Sequence, residues 1–294
     1  MTGLKKLGAH ITESHGYIYC ECSKLVGAEI HLDYPSVGAT ENIMLAAVAA
    51  KGTTIIYNAA KEPEIDDLQN FLNKMGAKVS GAGSSTIRID GVSIFGDVEH
   101  KIISDRIVAG TFMAAAAITG GSLVLDDIDN QHVRPVIAKL AESGCLIKEY
   151  ENKLHISNPN KRLKAIEVIK TLPYPGFPTD MQAQMMAVTS IAKGTSVFIE
   201  TVFESRYKQA EELIKMGASI RIDSRTAVVK GVKKLTGAKV TARDLRGGAA
   251  LVLAGLAAEG TTIIDNIKTH VDRGYDRLEI KLKKIGADIQ RVNV

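Results

Sequence analysis

A chain of 294 residues can form two domains, and its apolar content supplies sizeable cores. Aromatic residues are few and tryptophan is absent, which excludes a base-stacking nucleic-acid surface, and a net charge of +4 is too mild for a polynucleotide while it admits small anions. Three cysteines without metal-ligand spacing, Cys20, Cys22 and Cys145, indicate reduced thiols in a cytoplasmic protein, and neither a membrane-spanning apolar run nor a signal-peptide core is present.

The chain repeats itself. The phrase Leu-x-x-x-Gly, followed by a small residue and then Val or Ile two places on, occurs five times, with its glycine at Gly8, Gly76, Gly144, Gly217 and Gly286. A second mark precedes four of these glycines by 23 to 26 residues: Gly52-Thr-Thr-Ile, Gly121-Ser-Leu-Val, Gly194-Thr-Ser-Val and Gly260-Thr-Thr-Ile. Each repeat reads as an Ala-rich buried helix, a Gly-Thr turn, a strand such as 53–57, an amphipathic helix such as 65–75, and strands such as 78–80 and 86–89. The glycine of the first mark stands where a helix must stop, at a left-handed position.

Mixed sheets backed by helices follow, so the fold class is α/β (α+β). Four units read as whole, near 34–103, 104–160, 161–233 and 234–294, whereas residues 3–9 read as the end of a helix whose beginning lies upstream. That stump predicts a chain truncated at its N-terminus.

The starts of the buried helices gather polar and charged side chains. They follow Ser36 to Thr40, Asp105-Arg106, Thr179-Asp180 and Asp244-Leu-Arg246. Ahead of the third, prolines at Pro173, Pro175 and Pro178 hold an extended arm that delivers Asp180 to a buried helix over 181–193. Any one such residue serves as a simple cap; several helix starts in register make an anion site. Equivalent turns carry Glu62-Pro-Glu64, Asn130 to Arg134, Glu204-Ser-Arg206 and Asp272-Arg273, as the rim of a cleft would. Cys20 and Cys22, two apart on the strand expected over 17–22, read as packing or surface thiols, and His270 as a structural hydrogen-bonding group. No P-loop, dinucleotide fingerprint, Ser-His-Asp order or zinc spacing occurs, so neither a cofactor nor a metal is expected.

The phrases Tyr-Pro-Ser-Val-Gly-Ala-Thr-Glu-Asn-Ile-Met (34–44), Asn-Ala-Ala-Lys-Glu-Pro-Glu-Ile (58–65), Phe-Pro-Thr-Asp-Met-Gln-Ala-Gln (177–184), Glu-Thr-Val-Phe-Glu-Ser-Arg (200–206), Asp-Leu-Arg (244–246) and His-Val-Asp-Arg-Gly-Tyr (270–275) closely resemble the UDP-N-acetylglucosamine enolpyruvyl transferases, or 1-carboxyvinyltransferases. The resemblance runs along the whole chain. It implies a two-domain inside-out α/β barrel of βαβαββ units around buried helices. Residues 1–103 would be the second half of one domain, left incomplete, and 104–294 the other domain.

It also implies a reaction. The enolpyruvyl group of phosphoenolpyruvate passes to the 3-hydroxyl of UDP-N-acetylglucosamine with release of phosphate, the first committed step of peptidoglycan synthesis. By position in the motifs, Asp180 resembles the general base at that hydroxyl, and Tyr34, Pro35, Ser36, Val37 and Gly38 the uridine-contacting loop. Val202 and Phe203 resemble further nucleotide-sugar contacts, Arg273 the arginine that closes over phosphoenolpyruvate, and Asp244, Arg246 and Arg206 cleft residues near the reacting groups.

The resemblance starts late in the family's length, after the mobile loop whose Cys is the general acid, and none of Cys20, Cys22 or Cys145 matches that Cys. The chain by itself is therefore expected to be inactive or nearly so, with a separate N-terminal fragment among its candidate partners and neither nucleic acid nor membrane among them. Two other readings stand beside this one. A non-catalytic sugar-nucleotide-binding or regulatory protein derived from the family is one, and enolpyruvylshikimate phosphate synthase is the other, disfavoured by the Asn-Ala-Ala and Pro-Thr-Asp phrases.

Overall fold

The five Leu-x-x-x-Gly phrases each close a helix, and in each the glycine takes a positive φ, from 92° at Gly217 to 105° at Gly144, where a side chain would be strained. The computed structural model describes residues 1–160 and 162–292. The chain divides into two compact units: residues 1–103 with 173–175, and residues 104–172 with those from 176 onward.

The first unit runs α1 (Thr2–Lys6), β1 (His10–Ser14), β2 (Tyr17–Glu21), β3 (Glu29–His31), α2 (Val37–Ala47), β4 (Thr53–Tyr57), α3 (Pro63–Lys74), β5 (Lys78–Ser80) and β6 (Thr86–Asp90). Its four-stranded sheet has the order β3-β4-β6-β5, with β3 parallel to β4 and the other pairs antiparallel. Alternation puts Thr54 and Ile56 of β4 and Ile87 and Ile89 of β6 on the buried face. They meet Ile30, Met44 and Ile65 in the core. The short α1 belongs to this core: Leu7, just beyond it, is fully buried, and a Cβ on Gly3 would sit 2.4 Å from Ile43. The β1–β2 hairpin exposes both faces, with Tyr17, Ile18 and Tyr19 open to solvent.

The second unit contains α4 (Arg106–Thr119), β7 (Ser122–Asp126), α5 (Arg134–Glu142), β8 (Leu146–Tyr150), β9 (Lys153–Ser157), β10 (Val168–Lys170), α6 (Gln182–Ser190), β11 (Thr195–Ile199), α7 (Lys208–Lys215), β12 (Ser219–Asp223), β13 (Thr226–Lys230), β14 (Lys239–Thr241), α8 (Leu245–Ala257), β15 (Ile263–Asp265), α9 (Ile267–His270) and α10 (Leu278–Lys284). Its sheets are β7-β9-β8, β10-β11-β13-β12 and β14-β15. Helices α4, α6 and α8 pack on one another within a single core. Small residues let their backbones approach closely. A Cβ on Gly110 of α4 would lie 2.8 Å from the sulfur of Met181, and one on Gly248 of α8 would lie 2.5 Å from Val271. Every residue of α6 is buried.

The structure corrects the sequence reading in three places. A three-residue parallel strand, β3, β10 or β14, precedes α2, α6 and α8; strands so short leave no alternation to detect. Read as helix, strand, helix and hairpin, the unit is whole three times among the described residues rather than four, from α2 to β6, from α4 to β9 and from α6 to β13; with a leading strand it is whole twice, from β3 to β6 and from β10 to β13. The segment from α4 to β9 begins directly with its helix, and the last segment has no closing hairpin among the described residues. Finally, the helix expected over 181–193 is shorter, following a 3-10 turn at Thr179–Met181. Among the described residues no helix is long and apolar enough to cross a membrane.

The end of α6 is held from outside. Arg162 donates hydrogen bonds to the carbonyls of Ile191 (2.6 Å), Ala192 (2.8 Å), Gly231 (2.9 Å) and Val232 (2.7 Å). Its planar fork ties the C-cap of α6 and the residue after it to the segment that follows β13. Replacing Arg162 by Ala should lower the unfolding free energy by about 2–4 kcal/mol, and Lys should restore less than half of that. Urea unfolding followed by far-UV circular dichroism checks both.

Candidate active site

Three of the four helix starts singled out in the sequence are closed by ordinary caps. Ser36 accepts from the Ala39 N–H (3.3 Å), Asp105 from those of Ile107 (2.7 Å) and Val108 (3.0 Å), and Asp244 from that of Gly247 (2.7 Å). The fourth departs from this pattern. No side chain caps the 3-10 turn or α6, and Asp180 turns its carboxylate to two guanidinium groups. Arg206 Nη2 donates to Oδ1, while Arg246 donates to Oδ2 through Nε (3.1 Å) and Nη2 (2.9 Å). Arg206 comes from the turn before α7 and Arg246 from the first turn of α8, so one carboxylate ties the starts of three helices.

The arginines are themselves supported. The Arg206 guanidinium lies 4.6 Å above the Phe203 ring, and that of Arg246 lies 5.4 Å from the Tyr275 ring centroid. Tyr275 is buried and its hydroxyl meets Thr111 Oγ1 at 2.9 Å. Thr111 already donates to the Ile107 carbonyl, so the tyrosine is the donor here. Gln184 Nε2 donates to the Thr111 hydroxyl (3.1 Å) and to Tyr275 (3.3 Å). A second buried amide pair, Gln209 Nε2 to Gln182 Oε1 at 2.9 Å, stands beside it. Each glutamine thus makes a bond to a neighbouring element, which favours one relative register, while Gln182 Nε2 and Gln184 Oε1 stay buried with no partner among the described residues. Arg246 Nη1 is buried with no hydrogen-bond partner among the described residues.

Burial would push the Asp180 carboxyl up, but the charges and hydrogen bonds of Arg246 and Arg206 outweigh it and hold the group below the usual carboxylate range. Arg246 is desolvated as well, yet Tyr275 and Asp180 keep it firmly protonated. The Asp180 side chain remains 36% exposed, so a small molecule can reach it. An ionised carboxylate between two guanidinium groups can accept a proton once one of them is drawn away, and the two arginines can hold an anion.

The other residues expected in the site are placed as follows. Val202 is half-buried and Phe203 half-exposed, and both donate backbone N–H groups to Glu200. Asp244 is occupied as the α8 cap. Arg273 is exposed and has neither a hydrogen bond nor an ion pair among the described residues, so it is not part of the Asp180 cluster, although Tyr275 two residues on is. Tyr34 to Gly38 form the start of α2 in the first unit, with Tyr34 and Gly38 exposed and Pro35, Ser36 and Val37 half-buried.

Several of the turns read as a rim close on themselves. Arg134 pairs with Glu149 (2.7 Å), Asn130 bonds the Tyr150 carbonyl (2.7 Å), and Asp272 is held by both terminal nitrogens of Arg291 (2.7 Å each). The sequence reading missed Gln184, Tyr275 and Thr111 as members of the site. Two glutamines in the first turn of a buried helix were the available signal, because buried amides require partners.

A family model described as EPSP synthase (3-phosphoshikimate 1-carboxyvinyltransferase) matches residues 1–282. The chain belongs to this family of enolpyruvyl transferases. Within it, the chain is 58% identical over 292 residues to a UDP-N-acetylglucosamine 1-carboxyvinyltransferase of Caldanaerobacter subterraneus, covering 99% of this chain and 70% of the relative. It is 55% identical over 293 residues to another from Carboxydothermus hydrogenoformans, covering 100% and 69%. The chain thus spans about 70% of the length of these relatives. Among solved structures, the enolpyruvyl transferase NikO from Streptomyces tendae superposes with a TM-score of 0.88 at 25% identity, over 98% of this chain and 71% of that one. EPSP synthase from Acinetobacter baumannii shares the fold, with a TM-score of 0.74 at 21% identity over 98% and 70%. The enolpyruvyl transferase fold expected from the sequence motifs is the fold observed.

Removing one arginine should expose the contest at Asp180. In Arg246→Gln, burial acts against a single remaining charge, so the Asp180 midpoint in a carboxyl-carbon NMR titration should rise from its depressed value. The sign for stability follows: with the folded pKa depressed, the contribution is full above the unfolded-state value of about 3.9 and is lost as pH falls through the folded midpoint. The wild-type protein should therefore lose more stability than the variant between the ordinary carboxylate range and stronger acid.

Proposed function

We propose that this enolpyruvyl transferase chain acts on UDP-N-acetylglucosamine and phosphoenolpyruvate, with Asp180 as the base at the sugar 3-hydroxyl. The observation that carries the reading is the Asp180 cluster: a solvent-reachable, ionised carboxylate at the start of a buried helix, flanked by two guanidinium groups. The 52–59% identity to relatives named for the nucleotide sugar supports UDP-N-acetylglucosamine over the shikimate substrate of the family's namesake, whose solved structures share 21% identity.

Depression of the Asp180 pKa makes it a weak base at rest. Phosphoenolpyruvate supplies the remedy through its own charge. Its carboxylate and phosphate compete for Arg246 and Arg206, and a carboxylate relieved of one partner becomes more basic. The hydroxyl proton passes to Asp180 as the sugar oxygen bonds to the enol carbon and the neighbouring carbon takes up a proton; the bond from the former enol carbon to the phosphate oxygen then breaks, the neighbouring carbon gives up a proton to restore the double bond, and the arginines stabilise the phosphate that leaves. Arg273, exposed and unpaired among the described residues, is free to close over the same anion. Val202 and Phe203 are the proposed nucleotide-sugar contacts beside Asp180.

Addition at the enol carbon also needs a proton at its neighbour. We assign that donor to none of the three cysteines. Cys145 is buried in the core of the second unit, with its thiol pushed up by desolvation, and Cys20 and Cys22 lie in and beside the exposed β1–β2 hairpin of the first. The chain alone is accordingly proposed to bind the sugar nucleotide with little or no turnover. A non-catalytic sugar-nucleotide-binding role is the second reading, favoured by the placement of the three cysteines.

Calorimetry with UDP-N-acetylglucosamine tests the binding claim: saturable binding is expected, and none would refute it. Added phosphoenolpyruvate should raise the Asp180 midpoint, whereas an unmoved midpoint would separate the arginines from the anion. Phosphate release by the chain alone at ordinary enzyme rates would contradict the proposal of little or no turnover. If turnover is seen, Asp180→Asn should cut it by about 10²–10⁴-fold.

A further inference from the structure

Glu200 follows β11 and is 1% exposed, although a carboxylate is seldom buried so fully without a specific task. Its Oε1 accepts hydrogen bonds from the Thr171 hydroxyl (2.9 Å) and from the N–H groups of Val202 (2.9 Å) and Phe203 (3.1 Å). Its Oε2 accepts from the Thr179 hydroxyl at 2.9 Å. One oxygen thus shapes the turn that presents Val202 and Phe203, and the other grips the residue before Asp180. Thr171 adds a second tie, since its hydroxyl oxygen accepts the Thr201 N–H at 2.9 Å. Arg206 closes the ring from the far side, pairing with Asp180 while lying 4.6 Å over Phe203. Two segments far apart in sequence, 171–180 and 200–206, are joined through one buried carboxylate.

We propose that Glu200 is a positioning residue that sets the Val202–Phe203 turn and the Thr179–Asp180 turn in one register, so that the nucleotide-sugar contact and the base are placed as a single piece. What the turn binds rests on the function proposed above; the strut itself can be read at Asp180. Loss of the carboxylate leaves two N–H groups and two hydroxyls without their acceptor, and the turn and the base then move independently. A glutamine keeps the geometry. Its amide oxygen can take the three Oε1 bonds, and its NH2 can donate to the Thr179 hydroxyl once that hydroxyl rotates.

The experiment compares Glu200→Ala, Glu200→Gln and Thr179→Val with the wild-type chain, measuring UDP-N-acetylglucosamine affinity by calorimetry and the Asp180 midpoint by carboxyl-carbon NMR. Glu200→Ala should weaken binding by about tenfold or more and raise the Asp180 midpoint, while Glu200→Gln stays within about threefold and recovers the midpoint. Thr179→Val cuts only the link to the base, so it should raise the midpoint with affinity held within about threefold. The proposal is overturned if Thr179→Val leaves the midpoint where it was, or if folded Glu200→Ala binds the sugar nucleotide as the wild type does. Should the wild-type chain fail to bind the sugar nucleotide, the functional reading falls, and the strut is judged by the midpoint alone. Movement in Thr179→Val with recovery in Glu200→Gln sustains it, and no movement ends it.

Discussion

The arrangement around Asp180 depends on a competition between two ways of satisfying a carboxylate at a helix start. An aspartate in that place ordinarily turns back onto free backbone N–H groups, as Asp105 and Asp244 do at the starts of α4 and α8. Asp180 instead faces outward to Arg206 and Arg246. Two cations at hydrogen-bonding distance in a half-buried setting bind a carboxylate more strongly than neutral amides do. Because the arginines come from the approaches to α7 and α8, the pairing pins those helix starts to that of α6. The cluster that a substrate would meet is the same cluster that holds this end of the second unit together.

That arrangement also explains why polar side chains are tolerated inside the packing. Gln182 and Gln184 occupy the first turn of a helix with no exposed residue. Each finds a partner on a neighbour, Gln209 of α7 for the first and Thr111 with Tyr275 for the second. Such bonds are formed in only one register of the helices, whereas apolar contacts between Ala and Gly faces tolerate sliding. Tyr275, fixed by its hydroxyl, then presents its ring to Arg246. A chain of contacts runs from the buried helix contacts to the charge on Asp180.

Much of this was legible in the sequence, and the residues show where legibility ended. The five terminating glycines and the buried character of α6 could be read because backbone strain and apolar pattern act locally. Asp180, Arg206 and Arg246 were singled out from motif positions, but their convergence on one carboxylate is tertiary, joining residues separated by 26 and 66 positions. The strands β3, β10 and β14 escape because three residues show no period and, unlike β5, they do not follow a terminating glycine of the Leu-x-x-x-Gly mark. Arg273 is singled out by its motif as the arginine that closes over phosphoenolpyruvate, and its side chain is exposed, while the contact of Arg246 with Tyr275 has no local mark in the sequence. Glu200 looked like one polar residue in a polar loop, and only the folded chain shows four donors converging on it.

A crystal structure of the chain with UDP-N-acetylglucosamine and phosphoenolpyruvate bound tests the central claim most directly. The account expects the sugar 3-hydroxyl within about 2.6–3.2 Å of an Asp180 oxygen, with Arg206 or Arg246 turned from that carboxylate to the anion. A sugar nucleotide bound elsewhere, with both arginines still closed on Asp180, would contradict it.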